Sequence, residues 1–286
     1  MDTRLIERSA YAAKGLGGLS EIPQPPERLW LRGKLPSVGT KKLVVVGSRA
    51  LSAHGEAACN ALIAGLSGQP VSIVSGLALG ADACAHRAAL AAGLHTIAIP
   101  GSGLSDAVIA PRTNFMLAKD ILAQGGALLS EHPPETGARP AYFPSRNRLM
   151  VGIADAVLII EAGERSGTLI TARLAADYNR DLLCVPHRIT DPNGVGCHRF
   201  IRTGAALVSE PTHILEALGL SAASTPKTLP PLSAAEEALY AALAKPRPRH
   251  ELFAQVALSE TDAQIALLAL ELKGLIREEY GCWKQV

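Results

Sequence analysis

Residues 143–171 read Phe143-Pro-Ser-Arg-Asn-Arg-Leu-Met-Val-Gly-Ile-Ala-Asp-Ala-Val-Leu-Ile-Ile-Glu-Ala-Gly-Glu-Arg-Ser-Gly-Thr-Leu-Ile-Thr171. The apolar run Ala156–Ile160 does not alternate with polar residues. That is the signature of a strand buried on both faces, as in a parallel sheet. A turn of small residues follows, Glu164-Arg-Ser-Gly-Thr168, and leads into a segment of helical composition. Backbone N–H groups at such a strand-to-helix turn can hold an anion. Arg146 and Arg148 precede the strand and Arg165 follows it, so the segment predicts a site for a phosphorylated ligand.

The same rhythm extends outward. Apolar strand candidates are Leu43–Val46, Val71–Val74, Thr96–Ile99, Ala127–Leu129, Ala156–Ile160 and Leu182–Val185. Between them lie helical segments, Ser52–Leu66, Gly80–Ala92, Thr113–Ala123 and Thr168–Tyr178. Strands alternating with helices of this length predict right-handed βαβ units and an α/β fold. The expectation is a doubly wound, mostly parallel, Rossmann-like sheet over residues 41–220, with ligand beyond the C-terminal strand ends. Residues 1–40 are punctuated by Pro and Gly and read as an extended N-terminal arm.

Near residue 220 the rhythm stops. Residues 221–231, SAASTPKTLPP, read as a linker. Within 232–286, Ser233-Ala-Ala-Glu236 is a capping-box pattern opening a helix to about Ala244. A second short helix covers His250–Ala257, and a third, Ser259–Lys273, carries Ile265, Leu268 and Leu272 at helical spacing as its apolar face. Gly274 ends it, and a hairpin turning at Gly281 follows. Three helices and a hairpin form a winged-helix pattern.

Composition sets limits without pointing to a function. With 286 residues, 48% hydrophobic and 19% charged, the chain is long enough for two domains and too apolar for disorder. A net charge of +2 excludes coating of nucleic acid by bulk charge, so a polyanion site must be local. Aromatic residues are 4% of the chain, which weighs against an extended base-stacking surface. The five cysteines form no CxxC pair, so neither a disulfide framework nor a structural metal is expected, and a reducing cytoplasm fits. Cys84 and Cys184 read as small core residues. No secretory leader and no run of about 18 apolar residues is evident, so no membrane span is expected.

Three small-residue turns follow successive strands. Val46-Gly-Ser-Arg49 offers backbone N–H groups, Ser48 and the Arg49 guanidinium to a phosphate; alternatively it is a plain turn with a solvated arginine. Ser75-Gly-Leu-Ala-Leu-Gly-Ala-Asp82 contains Gly76 and sets Asp82 one helical turn from His86. These two side chains suit a hydrogen-bonded structural pair better than a ligand site. Pro100-Gly-Ser-Gly103 supplies Gly101, and the turn at 164–168 supplies Arg165, Ser166, Gly167 and Thr168, of which Ser or Thr also serves as a helix cap. Arg146, Asn147 and Arg148 suit phosphate contact, with a solvated helix start as the alternative. The chain lacks both GxGxxG and GxxxxGK[ST], which argues against a nicotinamide dehydrogenase and a P-loop ATPase. No catalytic constellation, cofactor or metal site can be assembled from spacing.

Taken in order, these motifs resemble the DNA-processing protein A family (DprA, also called Smf). The resemblance rests on Pro25-Pro-Glu-Arg-Leu-Trp-Leu-Arg-Gly33, Val46-Gly-Ser-Arg49, Ser75-Gly-Leu-Ala78 with Asp82 and His86-Arg87, Leu129-Ser-Glu-His-Pro-Pro134, Phe143-Pro-Ser-Arg-Asn-Arg148, Arg165-Ser-Gly-Thr-Leu-Ile-Thr171 and Thr203-Gly-Ala205. It implies a non-catalytic protein that binds single-stranded DNA in a basic pocket, loads the RecA recombinase during natural transformation, and forms a homodimer. By motif position, Arg49 and Arg165 would contact DNA, assisted by Ser48, Ser166 and Gly167, with the Arg146 and Arg148 pair lining the same pocket. Leu79 stands where the family usually carries arginine. Pro186-His187 and Gly194-Val-Gly-Cys-His198 also depart from its pattern, and His187 and His198 become candidate phosphate donors at acidic pH. The winged helix, acidic on its third helix (Glu260, Asp262, Glu271), suits protein docking better than duplex DNA. A nucleotide sensor or phosphoribohydrolase-like enzyme on the same fold is the alternative, although the turn at 164–171 lacks the glutamate such hydrolases use.

Overall fold

A computed structural model describes residues 2–164, 166–220, 232–243, 245–256, 258–273, 275–279 and 281–285. The chain divides into two compact units, residues 1–223 and 224–286. In the first, β1 (Arg4–Glu7) and β2 (Arg28–Gly33) precede the alternation β3 (Lys41–Val46), α1 (Ala53–Ala64), β4 (Val71–Ser75), α2 (Ala81–Ala91), β5 (His95–Ala98), α3 (Phe115–Ala123) and β6 (Ala127–Ser130). It continues with α4 (Tyr142–Ile153), β7 (Ala156–Ile159), α5 (Thr168–Asp177), β8 (Asp181–Cys184), α6 (Val195–Arg202), β9 (Ala206–Leu207) and α7 (Pro211–Ala217). The predicted strands and helices all recur within a few residues of their expected ends.

The strand order is β1-β2-β6-β5-β4-β3-β7-β8-β9. From β6 to β9 every pairing is parallel. The chain winds outward from β3 through β4, β5 and β6, then returns to the other side of β3 for β7, β8 and β9. A doubly wound sheet opens a crevice where its winding reverses, here between β3 and β7. The continuous apolar strands divide their side chains between two cores: Val44, Val46, Val157 and Ile159 face α4, α5 and α6, while Leu43, Val45, Ala156 and Leu158 face α1, α2 and α7. That two-sided burial is why these strands do not alternate in polarity.

Residues 1–40 correct the expectation of an extended arm. β1 pairs antiparallel with β2, and β2 pairs antiparallel with β6, so this segment completes one side of the sheet. Short 3₁₀ turns between the two strands bury Tyr11, Leu16 and Leu19, and the Tyr11 hydroxyl donates to the Pro26 carbonyl at 3.1 Å. Isolated 3₁₀ turns carry no helical periodicity, and β1 buries only Ile6, so neither signal for structure is present in the sequence.

The second unit contains α8 (Ala234–Ala242), β10 (Arg247–Pro248), α9 (Arg249–Gln255), α10 (Glu260–Leu272), β11 (Ile276–Glu279) and β12 (Cys282–Gln285), its strands ordered β10-β12-β11. The capping box forms, with Ser233 and Glu236 bonding reciprocally. Gly281 makes the hairpin turn at φ 78°. The buried face of α10 is not the expected one. Ala263, Ala266, Leu267 and Leu270 pack into the core, whereas Ile265, Leu268 and Leu272 are 63%, 56% and 80% exposed. The linker 221–231, Ala244, Ala257 and Gly274 lie outside the described residues. Among the described residues, no helix is long and apolar enough to cross a membrane.

Candidate functional site

A cavity of about 790 Å³ opens at the winding reversal. One wall is the turn after β3, residues 46–50; another is the turn entering α5, where Gly163, Ser166, Gly167, Thr168 and Thr171 line it. The third is the start of α4, through Phe143, Arg146 and Asn147. Three segments far apart in sequence meet here because β3 and β7 are neighbours in the sheet.

Buried bonds set the first wall. Ala81 N–H donates to the Ser48 carbonyl at 3.0 Å, tying the turn to α2. Gly80, at φ 70°, lies against the Ser48 and Arg49 carbonyls with no room for a side chain. The first turn of α1 does not present a free anion site, because it already has a carboxylate. Glu161, fully buried at the end of β7, accepts from Ser52 N–H at 3.1 Å and from the Ser52 hydroxyl, while Ser52 Oγ caps Gly55 N–H at 3.1 Å. Glu161 therefore joins the β3 and β7 sides of the crevice. The open helix start is that of α5, where a Cβ at Gly167 would meet nothing within 4 Å. Ser166 Oγ accepts from Thr168 N–H at 3.2 Å and donates to Thr168 Oγ1 at 2.9 Å.

The cations have different fates. Arg49 is exposed, has no carboxylate partner among the described residues, and stands 5.6 Å from the centroid of the Phe143 ring. Arg146 lines the cavity floor but is buried, 3.7 Å from the Asp82 carboxylate, and donates to the Ile99 carbonyl. Asp82 also accepts from Gly76 N–H at 3.1 Å and Ala78 N–H at 3.3 Å. Burial pushes the Asp82 carboxyl up and Arg146 opposes that shift. The pair is close to neutral as a unit, so Arg146 positions the floor and supplies little net charge.

Several expected site residues lie elsewhere. Arg148 turns away from the cavity and donates to the Glu131 carboxylate at 2.6 Å and to the Gln24 carbonyl at 2.7 Å. Successive helical positions point about 100° apart, which separates it from Arg146 and Asn147. His86 is fully buried, with Nδ1 2.7 Å from Thr96 Oγ1, and burial lowers its pKa to about 3. His187 has no exposed side-chain surface and lies 2.8 Å from the Ile160 carbonyl, while His198 Nε2 lies 2.9 Å from the His187 carbonyl. The His187 ring is thus used internally, His198 is half-buried with its Nε2 turned to the His187 backbone, and neither is among the residues lining the cavity. Gly76 lies directly against the Arg146 guanidinium, and a Cβ at Gly101 would sit 2.9 Å from the Phe143 ring. Both glycines thus make room for pocket side chains rather than touching a ligand. Arg165 lies outside the described residues.

The sequence reading missed Pro140, Met150, Ile170 and Asn193 among the lining residues, and treated Phe143 as motif only. Asn193 reaches the cavity because its carbonyl accepts from Ala162 N–H at 2.9 Å. No local signal announces such a contact. Cys84 and Cys184 are buried core residues as expected, and all five cysteines are free thiols.

The chain matches one protein family along nearly its whole length. The profile of the DNA recombination-mediator protein A family matches residues 3–219, and that of the DprA winged helix domain matches residues 222–281. The chain belongs to this family. Protein Smf of Escherichia coli is 42% identical over 193 residues, 68% of this chain and 51% of that protein. The chain thus spans about half the length of that relative. The X-ray structure of DNA processing protein A from Streptococcus pneumoniae aligns with a TM-score of 0.65 at 39% identity, covering 70% of this chain and 69% of that one. DNA processing protein A from Helicobacter pylori, described for its single-stranded DNA binding mode, aligns with a TM-score of 0.65 at 26% identity, covering 76% of this chain and 96% of that one.

Proposed function

We propose that the cavity at the winding reversal binds single-stranded DNA without chemically altering it. The observation that carries this reading is the pairing of Arg49 with Phe143: an exposed guanidinium with no carboxylate partner among the described residues, beside an aromatic ring at the cavity mouth. Such a pair can hold a phosphate and stack the adjoining base at once, and neither contact reads sequence. The α5 turn adds N–H and hydroxyl donors from Gly167, Ser166 and Thr168, and Arg165 belongs to the same turn by sequence. The single-stranded DNA binding described for the Helicobacter pylori relative supports the same reading.

So few cations give modest affinity per protomer. Tight capture of a strand then calls for several protomers on one strand, which raises avidity without new contacts. Homodimerisation and delivery of the bound strand to a RecA recombinase complete the proposal. The exposed Ile265, Leu268 and Leu272 on an acidic α10 suit a role for the winged helix in docking a protein partner. The test is fluorescence anisotropy of labelled oligothymidine across a salt series, with duplex and AMP as competitors. Binding lost steeply with salt and resistant to AMP supports the reading.

A second reading is a mononucleotide sensor, favoured by one observation: 790 Å³ is within the usual range for small-ligand pockets. Hydrolysis is disfavoured, because Asp82, the one carboxylate among the described lining residues, is engaged with Arg146. Displacement of the oligonucleotide by AMP would favour this reading over strand binding.

A further inference from the structure

The turn leading into α4 displays two faces. Phe143 N–H donates to the Pro140 carbonyl at 3.4 Å, and Tyr142 N–H to the Arg139 carbonyl at 2.9 Å. Residues three apart therefore share a face. Pro140 and Phe143 look into the cavity. Arg139 and Tyr142 occupy the adjacent face, where the Arg139 guanidinium lies 5.7 Å from the Tyr142 ring centroid. The His132 ring stacks on Tyr142, with centroids 3.8 Å apart and planes at 26°. His132 is fixed in turn by its backbone N–H, which donates to Ser130 Oγ at 3.0 Å.

This stack is not part of the hydrophobic core. Tyr142 belongs to none of the apolar clusters, and both rings are only partly covered. Arg139 is exposed and has no carboxylate partner among the described residues. The nearby Arg148 and Glu131 neutralise each other, and the Glu135 carboxylate accepts from the Ser105 hydroxyl, so Arg139 keeps its charge without an ion-pair partner among the described residues. Burial lowers the His132 pKa, so its ring is a neutral stacking surface at neutral pH. A surface of flat rings with one unmatched cation has the composition of a nucleobase shelf.

We propose that Arg139, Tyr142 and His132 form a second stacking subsite for single-stranded nucleic acid, receiving a base outside the cavity while Phe143 holds one at its mouth. The inference rests on the strand-binding reading of the cavity. Because Tyr142 and Phe143 are adjacent in the chain, one strand can pass from one face of the turn to the other. Arg139 would hold the phosphate between the two bases, as Arg49 does on the cavity side.

The full chain is titrated with a fluorescent thymidine tetramer, enough to fill the cavity, and with a dodecamer. Tyr142→Ala is expected to weaken dodecamer binding by about 5–150-fold, the range of one lost base stack, and to leave tetramer binding unchanged. His132→Ala, which leaves α4 untouched, should show the same length-selective loss, and Tyr142→Phe should restore wild-type binding. A dodecamer made abasic outside its central four positions should bind wild type as weakly as the intact dodecamer binds Tyr142→Ala, and should not discriminate between the two proteins. Equal losses for tetramer and dodecamer would overturn the subsite, because the ring would then be holding the cavity wall. So would full dodecamer affinity in both alanine variants. If wild type binds neither oligonucleotide, the strand-binding reading falls as well, which separates its failure from that of the shelf alone.

Discussion

The Arg146 guanidinium lies 3.7 Å from the Asp82 carboxylate, both side chains less than a tenth exposed, at the floor of the cavity between β3 and β7. The arginine is held by α4 and the aspartate by α2, so the pair fastens two elements that border the site. Removing one partner from a buried ion pair strands the other. Arg146→Met is therefore expected to destabilise the first unit by about 3–5 kcal/mol, read from the denaturant midpoint, and adding Asp82→Asn should recover part of the loss. A wild-type midpoint in the single variant would show that the pair does not fasten the floor.

Arg49 should behave differently. Arg49→Ala leaves no buried charge behind, so its unfolding midpoint should match wild type. Its affinity for single strands should fall for all sequences alike, and the slope of log affinity against log salt should flatten by about 0.7, the contribution of one phosphate contact. Anisotropy titrations at several salt concentrations check this. An unchanged slope would remove Arg49 from the DNA contact.

The Gly80 backbone, at φ 70°, lies against the Ser48 and Arg49 carbonyls. Gly80→Ala adds both a left-handed strain and a clash with backbone that cannot rotate away. A loss of about 1–3 kcal/mol is expected in thermal or chemical unfolding, together with weaker strand binding as the 46–50 turn shifts.

His86 makes the fold sensitive to acid. Its pKa is about 3 in the folded chain, chiefly through burial and secondarily through Arg146. The unfolded value is near 6.5. The unfolded chain therefore binds a proton that the folded chain refuses. This contribution to stability is fully present above about pH 6.5 and declines by about 1.4 kcal/mol per pH unit as the pH falls toward 3. In an NMR titration the His86 ring should stay neutral down to pH 4.5, and titration near pH 6.5 would contradict its burial.

The two faces of α10 give a contrasting pair of variants. Leu270→Ala, in the core of the second unit, should cost about 2–5 kcal/mol. Leu272→Asp, at an 80% exposed position, should change stability by no more than about 0.5 kcal/mol. Comparing the two unfolding midpoints decides which face is buried.

Much of the site was legible because it follows from strand ends. The 46–49 and 164–168 turns come directly after apolar runs, and a doubly wound sheet gathers such turns at one edge. Ser48, Arg49, Arg146, Asn147, Ser166, Gly167 and Thr168 do line one cavity. Arg146 and Arg148, two positions apart, could not be told apart by spacing. Only the placement of Asp82 and Glu131 decides that one faces the cavity floor and the other bonds outside it. The histidines failed for a related reason: a ring nitrogen looks the same in sequence whether it meets solvent or the Ile160 carbonyl.

By itself the sequence determined the alternation of buried strands and helices, the two-unit organisation and the small-residue turns, since each is written in local periodicity and turn chemistry. Tertiary structure alone decided what depends on distant partners. β2 found an open edge at β6 and drew the first forty residues into the sheet. The core of the second unit took Leu267 and Leu270 in place of the equally apolar Leu268 and Leu272. Burial is settled by which surface has a partner to exclude water, and no periodicity within one helix carries that information.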